Sequence, residues 1–225
     1  MVLVERDLSI LKYLLDMKFA DVELIGGHFF DLVGCNFSAT RNRLKALESE
    51  GYIVGQKGLI GSHRKYYFAT MKSYRLVKNE FLESVVVKPI KSITASNFEH
   101  DRRVAICRLA LEKQGRASNW QSERVLKAKL QLLNEGVERE FMPDGLFQTK
   151  INLPCAFELE LSHKSKNRYF HKVQRFVDEL KKERGMFKFC LFVVSSDYVF
   201  NVLSEFTAPY GKRFKIEKFP KISEK

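Results

Sequence analysis

Three carboxylates, Asp144, Glu158 and Glu160, fall in two short segments, residues 139–147 (REFMPDGLF) and 155–162 (CAFELELS). Phe157, Leu159 and Leu161 alternate with the two glutamates, so an extended strand puts Glu158 and Glu160 on one face. Lys150, Asn152 and Pro154 between the segments predict a turn joining them as an antiparallel hairpin, which brings Asp144 to the same face. Three carboxylates so placed repel one another unless a cation intervenes, and hard oxygen donors favour Mg²⁺ or Mn²⁺. An amphipathic strand with one solvated face produces the same alternation and is the plainer reading. The Lys- and Arg-rich segment that follows favours the metal site. A metal beside a basic surface points to chemistry on nucleic-acid phosphates.

Asp144 and Glu158 are the expected direct ligands, with Glu160 third. A divalent ion there would polarise a phosphate and activate a nucleophile. Lys164, Lys166 and Lys172 are candidates to offset charge building on the phosphoryl oxygens. Each serves equally as a solvated phosphate contact, as does Arg168. Glu123 reads as a further carboxylate near the metal or as an exposed helix-start residue. His100 and His163 read as bases or as phosphate contacts. Tyr169 reads as a nucleophile for a covalent ester or as a core or base-stacking residue.

These groups need a scaffold. Residues 98–113 are expected to form a helix, 116–122 around Trp120 a strand, and 123–134 a helix ended by Gly136. After the hairpin, residues 164–184 predict a long helix with Phe170, Val173, Phe176, Val177 and Leu180 as its apolar stripe. Residues 187–194 predict a strand buried on both faces, 198–206 a helix, and 212–219 a basic edge strand. That order gives a mixed sheet flanked by helices.

The amino-terminal third reads differently. Leu8, Leu11, Leu14 and Leu15 mark a helix over 5–17, Asp21 caps a second to about Phe30, and a third spans 39–50, ended by Gly51. Strands around 52–54 and 64–68 flank a turn at 55–61. Three helices and a hairpin are the layout of a winged helix-turn-helix. It places Ser38, Thr40, Arg41, Arg43 and Lys45 in a DNA major groove, and Lys57, His63, Arg64 and Lys65 on a wing near phosphate. A protein-interaction module shares this layout. The expected organisation is a DNA-binding domain over 1–78, a linker over 79–97, and a catalytic domain over 98–225.

Composition bounds the reading. With 45% hydrophobic and 12% aromatic residues, the 225-residue chain is globular rather than disordered. Its net charge of +12 sits mostly in the second part: residues 1–90 carry 13 basic and 10 acidic side chains, and residues 91–225 carry 26 and 17. Such an excess favours an anionic partner, and no basic amphipathic anchor directs it to a membrane. Cys35, Cys107, Cys155 and Cys190 form no CxxC pair, which argues against structural zinc and for a reducing, cytoplasmic setting. The charged start MVLVERD lacks a signal-peptide core, and the apolar run over 189–194 is too short to span a bilayer.

A Pro-Asp followed by Glu-x-Glu on neighbouring strands resembles the PD-(D/E)xK restriction-endonuclease-like fold, with Glu160 where that family carries its lysine. Lys164, Lys166 and Lys172 are the cations that could substitute from a neighbouring element. More closely, the chain resembles the MobC-class mobilisation relaxases and the replication-relaxation family over nearly its whole length. The matching pieces are Glu99-His-Asp101, Trp120-Gln-Ser-Glu123, Phe141-Met-Pro-Asp-Gly145 and the run from Phe157 to Lys164, with Arg168, Tyr169 and Lys172. This resemblance implies Mg²⁺- or Mn²⁺-dependent nicking of duplex DNA at a plasmid or mobile-element transfer origin. It also admits accessory relaxosome proteins and a homodimer as partners. Two alternatives stay open: a DNA-binding regulator with an inactive nuclease fold, and a transposition or repair nuclease of the same fold.

Overall fold

The computed structural model describes residues 2–30, 37–57, 61, 63–132 and 141–219. The expectations at Gly34, Cys35, Gly136, Arg139 and Glu140, and residues 58–60 of the turn expected over 55–61, lie outside these residues. The chain is mixed α/β, and it divides into two compact units, Met1–Leu109 with Gln131–Leu133, and Ala110–Leu130 with Asn134–Lys225.

The first unit opens with helix α1 (Glu5–Met17), followed by β1 (Ala20–Asp21), α2 (Val22–Phe29) and α3 (Ser38–Ser49). Strands β2 (Ile53–Lys57) and β3 (Lys65–Ala69) then form a hairpin, and the antiparallel sheet runs β1-β3-β2. Ile10, Leu11, Leu14 and Leu15 bury one side of α1, while Asp21 caps α2 by accepting from the Leu24 N–H at 2.9 Å. A further helix follows the hairpin and runs into the start of the linker expected over 79–97. Helix α4 (Met71–Glu80) is capped by Thr70, and its Ser73 and Val77 are buried.

Helix α5 (Ala95–Lys113) contains the division between the units, rather than following a linker over 79–97 as expected. Phe98 supplies the reason. Its ring stacks on Phe19 with centroids 4.9 Å apart and meets Tyr66 edge-on, so the start of α5 completes the first unit's aromatic cluster.

The second unit holds β4 (Ser118–Ser122), all but the last two residues of α6 (Glu123–Leu132), β5 (Gly145–Gln148), β6 (Pro154–Glu160), α7 (Lys166–Lys181), β7 (Phe189–Val194), α8 (Asp197–Thr207) and β8 (Phe214–Lys218). Its sheet runs β4-β5-β6-β7-β8. The first three strands pair antiparallel, and β6, β7 and β8 pair parallel. On one face Ala156, Cys190, Phe192 and Val194 pack beneath Tyr169, Val173, Phe176 and Val177 of α7 and Val199, Val202 and Leu203 of α8. On the other, Phe157 lies against Trp120, which stacks on Phe147 at 5.6 Å. The α7 stripe differs from expectation by one residue: Tyr169 is buried, and Phe170 is 43% exposed. Cys107, Cys155 and Cys190 are buried and form no disulfide among the described residues. Among the described residues no helix is long and apolar enough to cross a membrane.

Candidate active site

Strand β6 is buried on both sides, so the solvated face of the plainer sequence reading does not exist. Glu158 and Glu160 are 7% and 1% exposed and share the face that α7 covers. Asp144 stands one step beyond the last β5–β6 pair, Gly145 opposite Phe157, so the register continues towards Glu158. Its carboxylate accepts the Leu159 N–H at 2.8 Å, and its carbonyl accepts the Glu123 N–H at 3.2 Å. Gly145 is required beside it, because a Cβ there would run into the Trp120 indole.

Two lysines close the face. Lys172 of α7 donates to both Glu158 and Glu160, and Lys164 reaches Glu160 at 2.7 Å. Burial and the neighbouring charge of Asp144 push Glu158 up to about 8, even though Lys172 lies against it. For Lys172, burial opposes the charge, but Glu158 and Glu160 outweigh it and hold the ammonium well above the ordinary lysine range. Asp144, Glu158 and Glu160 thus meet around the ammonium of Lys172, with Lys164 adding a second at Glu160. Such a donor set fits a hard divalent ion shared by Asp144 and Glu158, since Mg²⁺ needs only one or two carboxylates beside water and phosphate. Glu160, expected as a third ligand, pairs with both Lys172 and Lys164. Among the described residues no three His, Cys, Asp or Glu side chains form a ready metal cage.

An open groove of about 710 Å³ leads to Glu158, lined by Phe141, Met142, Lys164, Arg168, His171, Lys172 and Arg175. Arg168, Lys172 and Arg175 recur at helical spacing along α7 and make a basic stripe, with His171 beside it and Lys164 just before the helix. His171 and Arg175 escaped the sequence reading, although this spacing was the signal that could have found them.

The other candidates scatter. Lys166 is exposed and lies 3.5 Å from Glu205, away from the carboxylates. The Glu123 side chain pairs with Lys127 on the surface of α6. Tyr169 is fully buried, its hydroxyl donating to the Ser162 carbonyl at 2.8 Å and accepting the Lys164 N–H at 3.2 Å. Tyr169 thus fixes the loop after β6 and is closed to a phosphate. His163 is exposed and stacks on Tyr198. His100 lies in the first unit, beside Asp101.

In the first unit the expected groove and wing residues divide. Arg43 holds the buried Asp7 through Nε at 2.6 Å and bonds the Val2 carbonyl at 3.0 Å. Thr40 is fully buried, so it packs the interior instead of facing a groove. Arg64 pairs with Asp21 and Glu23, and Lys65 with Glu48 at 2.6 Å. Ser38, Arg41, Lys45, Lys57 and His63 are exposed.

No family model matches this chain, and no curated protein or solved structure matches it.

Proposed function

We propose that this chain is a metal-dependent DNA endonuclease that nicks duplex DNA at a defined site, as a mobilisation relaxase does at a transfer origin. The observation that carries the reading is Glu158: a buried carboxylate beside Asp144, paired with Lys172, and lining one groove with Lys164, Arg168, His171 and Arg175. A second feature agrees. Helix α7 opens with Lys166 and Arg168 and has no acidic residue in its first turn, which is unfavourable at a helix N-terminus unless an anion docks there.

The mixed sheet, with Asp144 just before β5 and Glu158 and Glu160 on the neighbouring β6, supports a PD-(D/E)xK-like core, with Lys172 supplying the cation missing at position 160. The element order α1-β1-α2-α3-β2-β3 supports a winged helix-turn-helix in the first unit, with the exposed Arg41 and Lys45 of α3 facing DNA.

Asp144 and Glu158 would hold Mg²⁺ or Mn²⁺, which when bound polarises the scissile phosphate and lowers the pKa of water. Leu159 N–H orients Asp144 for that task. Glu160 holds Lys172 in position, and Lys172 neutralises charge that builds on the phosphoryl oxygens. Arg168, His171 and Arg175 position the flanking backbone.

Incubation with supercoiled plasmid carrying the gene's native flanking sequence tests the reading. Nicking with Mg²⁺, its loss in EDTA, and its loss in Asp144→Asn and Glu158→Gln with binding retained are expected. Equal nicking by both variants overturns it. The engagement of Glu158 and Glu160 by lysines favours a second reading, a DNA-binding regulator that does not cut. That reading is selected if the protein binds the plasmid tightly but never nicks it with Mg²⁺ or Mn²⁺.

A further inference from the structure

A second pocket in the same unit, of about 290 Å³, shares no lining residue with the carboxylate groove. Its floor is the sheet face opposite α7. Strand partners point to one face, so the register Phe147–Cys155–Phe189 and the pair Leu191–Lys215 bring these five side chains together. Phe147, Cys155 and Leu191 are buried. Leu111 near the end of α5 and Ile151 in the β5–β6 turn complete the apolar lining. That turn is tight: the Asn152 N–H donates to the Thr149 carbonyl, and the Thr149 N–H to the Leu153 carbonyl, both at 2.9 Å. It leaves Ile151 70% exposed at the pocket.

The rim is cationic. Arg116, Lys150, Lys212, Arg213 and Lys215 line the pocket, and no described carboxylate does. Arg116 and Lys215 share Glu217 at 2.7 and 2.6 Å. Among the described residues no carboxylate pairs with Lys150, Lys212 or Arg213. Clustered like charges repel, and an anion seated among them relieves that repulsion.

We propose that this pocket binds an acyl anion, with its hydrocarbon chain on the Phe147–Phe189–Leu191 floor and its carboxylate on the cationic rim. A mostly apolar concavity with a few placed charges suits such a molecule. A nucleobase fits less well, because its polar edge needs partners. The one hydroxyl among the described lining residues, on Thr149, already accepts the Leu153 N–H at 3.2 Å. The site does not depend on the DNA-cleaving reading, since its floor is the other face of the sheet.

The test titrates the full chain with hexanoate, octanoate and decanoate below their micelle concentrations, by calorimetry and by Trp120 fluorescence. Trp120 stacks on Phe147, so its emission reports occupancy of the floor. Saturable binding is expected, tightening by about fourfold for each buried methylene. The neutral analogue 1-decanol should bind about tenfold more weakly than decanoate, because it lacks the charged head. Lys212→Glu with Arg213→Glu should weaken decanoate by about tenfold or more. Ile151→Asp should flatten the dependence on chain length. All three positions are exposed, so both variants should fold, and a wild-type Trp120 spectrum without ligand checks that. Absence of saturable binding, or undiminished decanoate affinity in the two variants, overturns the site. Equal affinity for the three chain lengths also overturns it and assigns the rim to simple anion contacts. Tighter binding of AMP than of decanoate overturns the acyl chain in favour of a nucleotide.

Discussion

Lys172 and Lys164 both touch Glu160, yet their surroundings predict different consequences of removing them. Lys172 is the contact common to Glu158 and Glu160, whereas Lys164 is more exposed and meets Glu160 alone. Lys172→Ala should slow nicking on the order of a hundredfold at saturating DNA, and Lys164→Ala by less than about tenfold. Single-turnover plasmid assays at matched DNA occupancy check this, and the opposite ranking would assign the phosphate to Lys164. In the first unit Arg43 belongs to stability. Burial alone would raise Asp7, but the hydrogen bonds and charge of Arg43, with the Val4 N–H, hold it below the usual aspartate value. A depressed carboxylate stabilises the fold above its ordinary pKa, and that contribution disappears as the pH falls through the lowered value. Arg43→Ala should therefore destabilise the protein at pH 7 by about 3 kcal/mol, because it strands a buried charge. Chemical denaturation at pH 7 and pH 3 should show a much smaller difference between wild type and variant at the lower pH.

At the scale of elements, the β5–β6 hairpin aims Asp144, and Gly145 lets it close against Trp120. A methyl group at 145 would push the indole or bend β5, since the cavity on that side is filled by the Trp120–Phe147–Phe157 stack. Gly145→Ala should cost about 1–3 kcal/mol, as overpacking does, and should slow nicking by displacing Asp144. Trp120 is the chain's single tryptophan, so its fluorescence reports the displacement directly. An unchanged emission spectrum with normal stability would show that the hairpin accommodates the methyl group. Helix α7 contributes two faces of different use. Tyr169, Val173 and Phe176 fasten it to the sheet, while Arg168, His171 and Arg175 line the groove.

For the molecule as a whole, the two units predict separable defects. Arg41 and Lys45 are exposed on α3 in the first unit, and the carboxylates lie in the second. Arg41→Ala with Lys45→Ala should weaken DNA binding and lower the slope of log affinity against log salt by about 0.9 for each lost phosphate contact. The nicking rate at saturating DNA should stay near wild type. A double variant with unchanged affinity and salt slope would assign the first unit to protein contacts.

Period-two alternation alone placed Glu158 and Glu160 on one face, and the turn residues between the segments placed Asp144 opposite them. Both are local consequences of strand geometry, which a few neighbouring residues determine. The same holds for the caps at Asp21 and the apolar run of β7. Which cation meets which carboxylate was not local. Lys172 reaches Glu158 across 14 residues, and Arg43 reaches Asp7 across 36, because packed helices bring those side chains together. The periodicity of α7 admitted Phe170 as readily as Tyr169 on the buried side, and the rotation of the helix on the sheet chose Tyr169. Phe98 likewise joined the first unit through the rings of Phe19 and Tyr66, which no count along the chain connects to it. The sequence alone determined the carboxylates and their common face. Tertiary packing decided their burial, their lysine partners and the exposed His163–Tyr198 pair, because those depend on surfaces that meet only when the chain is folded.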